Sequence, residues 1–222
     1  MIAPENLRAF MRGFYGYGSY GAKYWFIGPE EGGQSSVGDL ARRVDVWRAR
    51  GEHEIEDSLA FHEALNHTGW FGEAPKRQAT WARLSQILLT AEGRPCANKD
   101  ILEYQGTRLG RWGGETLVAE LMPLPAKNTA TWYANELEMP ELRSRKEYRA
   151  VIRPRRIAHL KQRIFEHQPR VVIFYGARRS IPNILGVDFE PGKTSDTGRL
   201  GSTLLVGMQH PTAFGAHRED FD

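Results

Sequence analysis

Four stretches of the chain are short, apolar and closed by turn residues: 23–28, 116–122, 170–176 and 203–208. None alternates cleanly between apolar and polar, the pattern expected of strands covered on both faces in a parallel sheet. Helical patterns separate them. Residues 54–66 and 77–91 lie between the first and second strands, and 141–167 precedes the third, with Pro154 expected to break or kink that helix. Residues 178–185 follow the third strand as a further helix. Residues 32–51 are polar and read as a lid or loop. Strands alternating with helices predict an α/β fold, a three-layer α/β/α sandwich around a four-stranded parallel sheet. No repeat or boundary divides the 222 residues, so one domain over 1–222 is expected.

In open α/β sheets, ligands sit outside the carboxyl ends of the strands. The loops there read GPEEGG, PLPAKNTATW, GARRS and QHPTAFGAHRE. They gather two carboxylates, an Asn, several Arg, a His and aromatic residues, and are where chemistry is sought.

Charge sharpens the picture. The net charge is only +3, but residues 141–163 hold nine Lys or Arg against two Glu, a footprint suited to phosphate contacts or to a solvated helix face. Cys96 is alone, which removes a disulfide framework and a cysteine-ligated zinc or iron–sulfur centre. The histidines show no HxH or HExxH spacing, so no metal and no cofactor are expected. No apolar run approaches the roughly 20 residues of a membrane span, and the N-terminal residues lack a signal-peptide pattern, so the expectation is a cytoplasmic chain with no membrane partner.

Two familiar motifs fail. GKTSDTG contains Gly-Lys-Thr, but five residues separate Gly186 from Gly192 where a phosphate-binding loop needs four. No GxSxG elbow is present for a serine nucleophile. What remains is acid–base or electrostatic catalysis by Glu30 or Glu31 with His210.

The strand-end loop Gly28-Pro29-Glu30-Glu31-Gly32, paired with His210-Pro211-Thr212 after the last strand, resembles the uracil-DNA glycosylase superfamily. LVAELMPLPAKN, RVVIFYGARRSIPNIL and GWFGEAPKRQATWARLSQILL resemble its other segments, so the likeness covers most of the chain in order. The resemblance implies a monofunctional glycosylase that flips a base out of DNA and hydrolyses its N-glycosidic bond, acting as a monomer. It implies that Glu30 guides water and His210 donates to the 2-oxygen of the leaving pyrimidine. Trp70 or Phe71 would stack on the base, and Gly28 and Gly32 would lie beside it. Gly32 falls where uracil-specific members carry a Tyr that excludes a 5-substituent. Thr212 would touch a phosphate and Phe214 would wedge the duplex. The basic residues Arg153, Arg155, Arg156, Arg178 and Arg179 are the expected phosphate grips. Glu31 reads as a solvated neighbour or helix-start residue.

The chain departs from that pattern where relatives carry an Asn that reads uracil. The nearest match is Glu120, with Asn128 further along the exit loop as the alternative. An ionised carboxylate only accepts hydrogen bonds, which suits the amino group of cytosine and repels the 4-oxygen of uracil. With room at Gly32, the expected base is a 5-substituted cytosine, hydroxymethylated or glucosylated. Such bases occur in bacteriophage genomes, so antiviral defence is the expected setting. A uracil or deaminated-base repair glycosylase, a catalytically silent nucleic-acid binder and a small-molecule α/β enzyme remain as alternatives.

Overall fold

The structure, a computed structural model, describes every residue except 1, 34–35, 128–130, 177, 179–184 and 214–222. In chain order its elements are α1 (Pro4–Gly13), β1 (Gly16–Tyr17), β2 (Tyr24–Glu30), α2 (Val37–Ala49), β3 (Ile55–Glu56), α3 (Ser58–Ala64), α4 (Ala79–Ala91), α5 (Asn98–Thr107), β4 (Thr116–Met122), α6 (Arg145–His167), β5 (Val171–Tyr175), β6 (Phe189–Pro191), β7 (Ser195–Leu200) and β8 (Thr203–Met208). The fold is α/β, with a mixed sheet in the order β3-β1-β4-β2-β5-β8-β7-β6.

The four strands read from the sequence are β4, β2, β5 and β8. They lie side by side at the centre, each pair parallel. Their apolar runs explain this: Trp25, Phe26, Ile27, Leu117, Ala119, Val172, Phe174 and Leu205 are all buried. The expected four-stranded parallel sheet is nonetheless corrected to an eight-stranded mixed one. β1 runs antiparallel to β4, and β7 is antiparallel to both β8 and β6. These additions are short or polar, and β7 (SDTGRL) buries no residue fully, so no apolar run announced them.

Three helices escaped the sequence reading. The stretch taken as a lid or loop contains α2, whose Leu40, Val44 and Trp47 fall at helical spacing and are buried. Its start is marked by Ser36, whose hydroxyl accepts from the Asp39 amide at 3.1 Å. α1 and α5 were also not anticipated. Part of the expected helix 54–66 is instead β3, and α3 begins after Asp57, which caps the Leu59 and Ala60 amides. α6 runs unbroken through Pro154 for 23 residues. Pro154 is exposed, so water can serve the carbonyl its missing N–H leaves free. The helix expected at 178–185 lies mostly outside the described residues.

Candidate active site

One row of residues crosses the carboxyl end of the central strands. Glu120 of β4 stands opposite Gly28 of β2, the Ile27–Phe174 pair brings Tyr175 of β5 alongside, and Tyr175 faces Met208 of β8. Gly28 is the gap in that row. A Cβ there would stand 2.3 Å from Glu120 Oε2 and 2.4 Å from the Tyr175 oxygen, so no other residue fits without displacing them. Across this gap the Tyr175 hydroxyl donates to Glu120 Oε1 at 3.0 Å.

Part of the Glu120 side chain reaches solvent, but Oε2 is covered and has no hydrogen-bond partner. Burial raises the carboxyl well above its ordinary value, and the charge of Glu31 adds to the effect, against the Tyr175 hydrogen bond and Arg156. The fold thus shifts Glu120 toward its neutral form, away from the ionised carboxylate expected.

The end of β2 and the segment that follows β8 converge beyond Tyr175. At Gly176, where φ is +76°, a Cβ would stand 3.3 Å from both Pro29 and His210 Cδ2. The segment carrying Glu30 and the ring of His210 thus meet over a single glycine. The His210 ring lies edge-on to Tyr175 with centroids 5.3 Å apart. Its Nδ1 accepts from the Thr212 amide at 3.3 Å and lies 3.0 Å from the Thr212 hydroxyl. An amide N–H can only donate, so Nδ1 carries the lone pair and the neutral ring keeps its proton on Nε2. Burial lowers the His210 pKa and favours that neutral form. The Thr212 side chain, expected at a phosphate, is engaged with His210.

Glu30 is held rather than free. Arg145, at the start of α6, places Nη1 2.6 and 2.7 Å from its two oxygens, and the pair is about nine-tenths covered, with side-chain exposures of 9% and 12%. Arg145 in turn donates to the Thr131 carbonyl at 2.9 Å and lies over the Trp132 ring. Glu31 is not the solvated neighbour expected. It pairs with Arg43 of α2 at 2.9 Å and accepts from the Tyr17 hydroxyl at 3.1 Å, both partners being buried. Beside it His62, pushed down to about 4 by burial, has its Nε2 4.0 Å from Glu31.

A cavity of about 800 Å³ opens beside Gly32 and Gly33, lined also by Trp70, Arg42 and Lys76 among others. Gly32 has open space where a side chain would project, with nothing within 4 Å. Trp70 lines the cavity, whereas Phe71 is buried against His62 and Trp81. Of the two candidates for stacking on a base, only Trp70 is accessible. Glu30, Glu120 and His210 do not line this cavity.

The basic residues divide. Arg156 is buried and donates to the carbonyls of Leu121, Glu120, Phe14 and Met11, which makes it a structural clamp rather than a phosphate grip. Arg153 is half-buried, and Arg155 is exposed in a groove with Arg8 and Arg12. Arg178 is tied to Asp196 at 2.7 Å and to the Gly192 carbonyl. Asn128, Arg179 and Phe214 lie outside the described residues. Among the described residues no group of His, Cys, Asp and Glu is arranged to hold a metal ion, and no helix is long and apolar enough to cross a membrane.

Tyr175, Arg145, Arg43 and Tyr17 were missed by sequence reasoning. Tyr175 was legible in principle, as the last residue of an apolar strand before a glycine. The other three depend on contacts distant in sequence. No family model, curated protein or solved structure matches the chain.

Proposed function

We propose that the chain is a monofunctional DNA glycosylase of uracil-DNA-glycosylase type, a three-layer sandwich in finer architecture, acting on a pyrimidine with a bulky 5-substituent. The observation that carries this reading is the convergence of the Glu30 and His210 segments over Gly176, at the ends of β2 and β8, the two parallel strands that flank β5. Breaking an N-glycosidic bond develops positive charge on the sugar and negative charge on the base. The Glu30 carboxylate, oriented by Arg145, offsets the first and guides the attacking water. The Nε2–H of neutral His210 donates to the 2-oxygen of the departing base as negative charge grows there. The base reaches these groups only after leaving the stack.

The 5-substituent is supported by the cavity beyond Gly32, which is large enough for a sugar-sized group and offers Trp70 as a flat apolar wall with Arg42 and Lys76 as donors. A modified cytosine is the foremost candidate, and its removal from invading DNA would serve defence. The test is a release assay on DNA carrying uracil, hydroxymethylcytosine or glucosylated hydroxymethylcytosine, with free bases identified by mass. Release of a 5-substituted cytosine is expected. Release of uracil alone overturns the substrate assignment, and no release from any DNA overturns the enzymatic one.

A further inference from the structure

The cavity beside Gly32 is rich in donors. Arg42, Lys76 and Lys127 place three cations around it, and Asp39 is the one carboxylate among its described lining residues. Arg43 also lines it, but its guanidinium is paired with Glu31 at 2.9 Å. Asp39 is itself engaged. It stands in the first turn of α2, at the positive end of the helix, and accepts from the Ser36 hydroxyl at 2.6 Å. Arg42 donates one N–H to the Leu65 carbonyl at 3.3 Å, and neither it nor Lys76 forms an ion pair among the described residues. Arginine and lysine side chains offer donors and no acceptors. Neutral sugar hydroxyls, which both donate and accept, leave that surplus unmatched, whereas phosphate oxygens match it.

The wall that carries Lys76 is fixed by a buried amide. Gln105 Nε2 donates to the Trp70 carbonyl at 3.1 Å and to the Lys76 carbonyl at 2.9 Å, while its Oε1 accepts from the Gln78 amide at 3.0 Å. The Lys76 amide closes the loop onto the Gly69 carbonyl at 2.7 Å. The Trp70 ring is held edge-on by His62 and Trp81, with centroids 5.6 and 6.0 Å away. One buried side chain thus sets an aromatic wall and a cation on the same cavity.

We propose that this cavity is an anion site for a phosphate-bearing group of sugar size, with phosphate oxygens on Arg42 and Lys76 and the carbon frame against Trp70. Where it concerns DNA the proposal rests on the glycosylase reading, and the phosphate then has two sources: the 5-substituent of the target base, or the strand itself.

Calorimetric titration of the intact protein with glucose and with glucose 6-phosphate, at fixed ionic strength, tests the binding without DNA. Glucose 6-phosphate is expected to bind about tenfold or more tightly than glucose, and less tightly as salt is raised. Arg42→Gln and Lys76→Gln, both at exposed positions, should each weaken it about fivefold or more, while Lys99→Gln, at an exposed position that does not line the cavity, leaves it unchanged. Equal affinity for the two sugars, no binding of either, or indifference to both cavity substitutions overturns the proposal. Base release then separates the sources. If the phosphate belongs to the substituent, phosphorylated hydroxymethylcytosine is released faster than the glucosylated base, and Lys76→Gln removes the difference. If it belongs to the strand, the two are released alike and Lys76→Gln raises KM on both. Release of neither base ends the glycosylase reading, and the calorimetry still decides whether the cavity takes phosphate.

Discussion

Arg145 holds both carboxylate oxygens of Glu30 through one nitrogen, at 2.6 and 2.7 Å, from the first turn of a helix that starts 115 residues away in sequence. The carboxylate is thereby fixed in direction before any substrate arrives, which is what guiding a water requires. Arg145→Gln is expected to cost about 1–3 kcal/mol of stability, read from denaturant unfolding, because a covered carboxylate loses its charged partner. Base release should fall with it. Arg145→Lys, which supplies one donor nitrogen, should recover part of both.

The cavity beside Gly32 gives the proposed substrate a direct test. A side chain there meets open space and its backbone requires no positive φ, so Gly32→Tyr should fold with a stability change within about 0.5 kcal/mol. Release of a 5-substituted cytosine should drop while release of an unsubstituted pyrimidine is spared. Equal loss on both substrates would mean that the cavity does not receive the substituent.

The arginines of α6 are expected to part company. Arg156→Ala strands four backbone carbonyls in the core and should destabilise the protein by about 3 kcal/mol or more, measured by unfolding in denaturant. Arg155→Ala, at an exposed position, should leave stability unchanged and weaken DNA affinity with a shallower salt dependence.

Stability should depend on pH from both sides. The native state holds the Glu120 proton at pH values where the unfolded chain, near 4.5, has lost it. The native state then binds more protons, so stability falls as pH rises above that value. His62 works in the opposite sense: its native value of about 4 lies below the ordinary 6.5, so stability also falls as pH drops between them. In thermal melts, Glu120→Gln should match wild type at about pH 4 and exceed it at about pH 8, by roughly 2–4 °C per kcal/mol relieved.

The parallel core was legible because each of its strands is mostly apolar without alternation, the mark of burial on both faces. The flanking strands were not, since a two-residue bridge such as Gly16–Tyr17 is made by its neighbours rather than by its own sequence. α2 carried a readable signal, Ser36 three residues before Asp39, that its polar composition obscured. At the site, the approach of the Glu30 and His210 segments was legible because both follow apolar runs that end on the same side of the sheet. The raised carboxyl of Glu120 was not, because it follows from burial beside the gap at Gly28 and from the nearby charge of Glu31, which only the fold assembles. Glu31 and Arg156 misled for the same reason. A charged residue type says nothing about whether a partner waits in the fold.

In the proposed reaction Glu30 acts from one side of the base while His210 works from the other. Single-turnover base release by Glu30→Gln, measured beside its affinity for the same DNA, tests it most directly. Release should fall by about a hundredfold or more while DNA affinity stays near that of wild type. Release at the wild-type rate would contradict it.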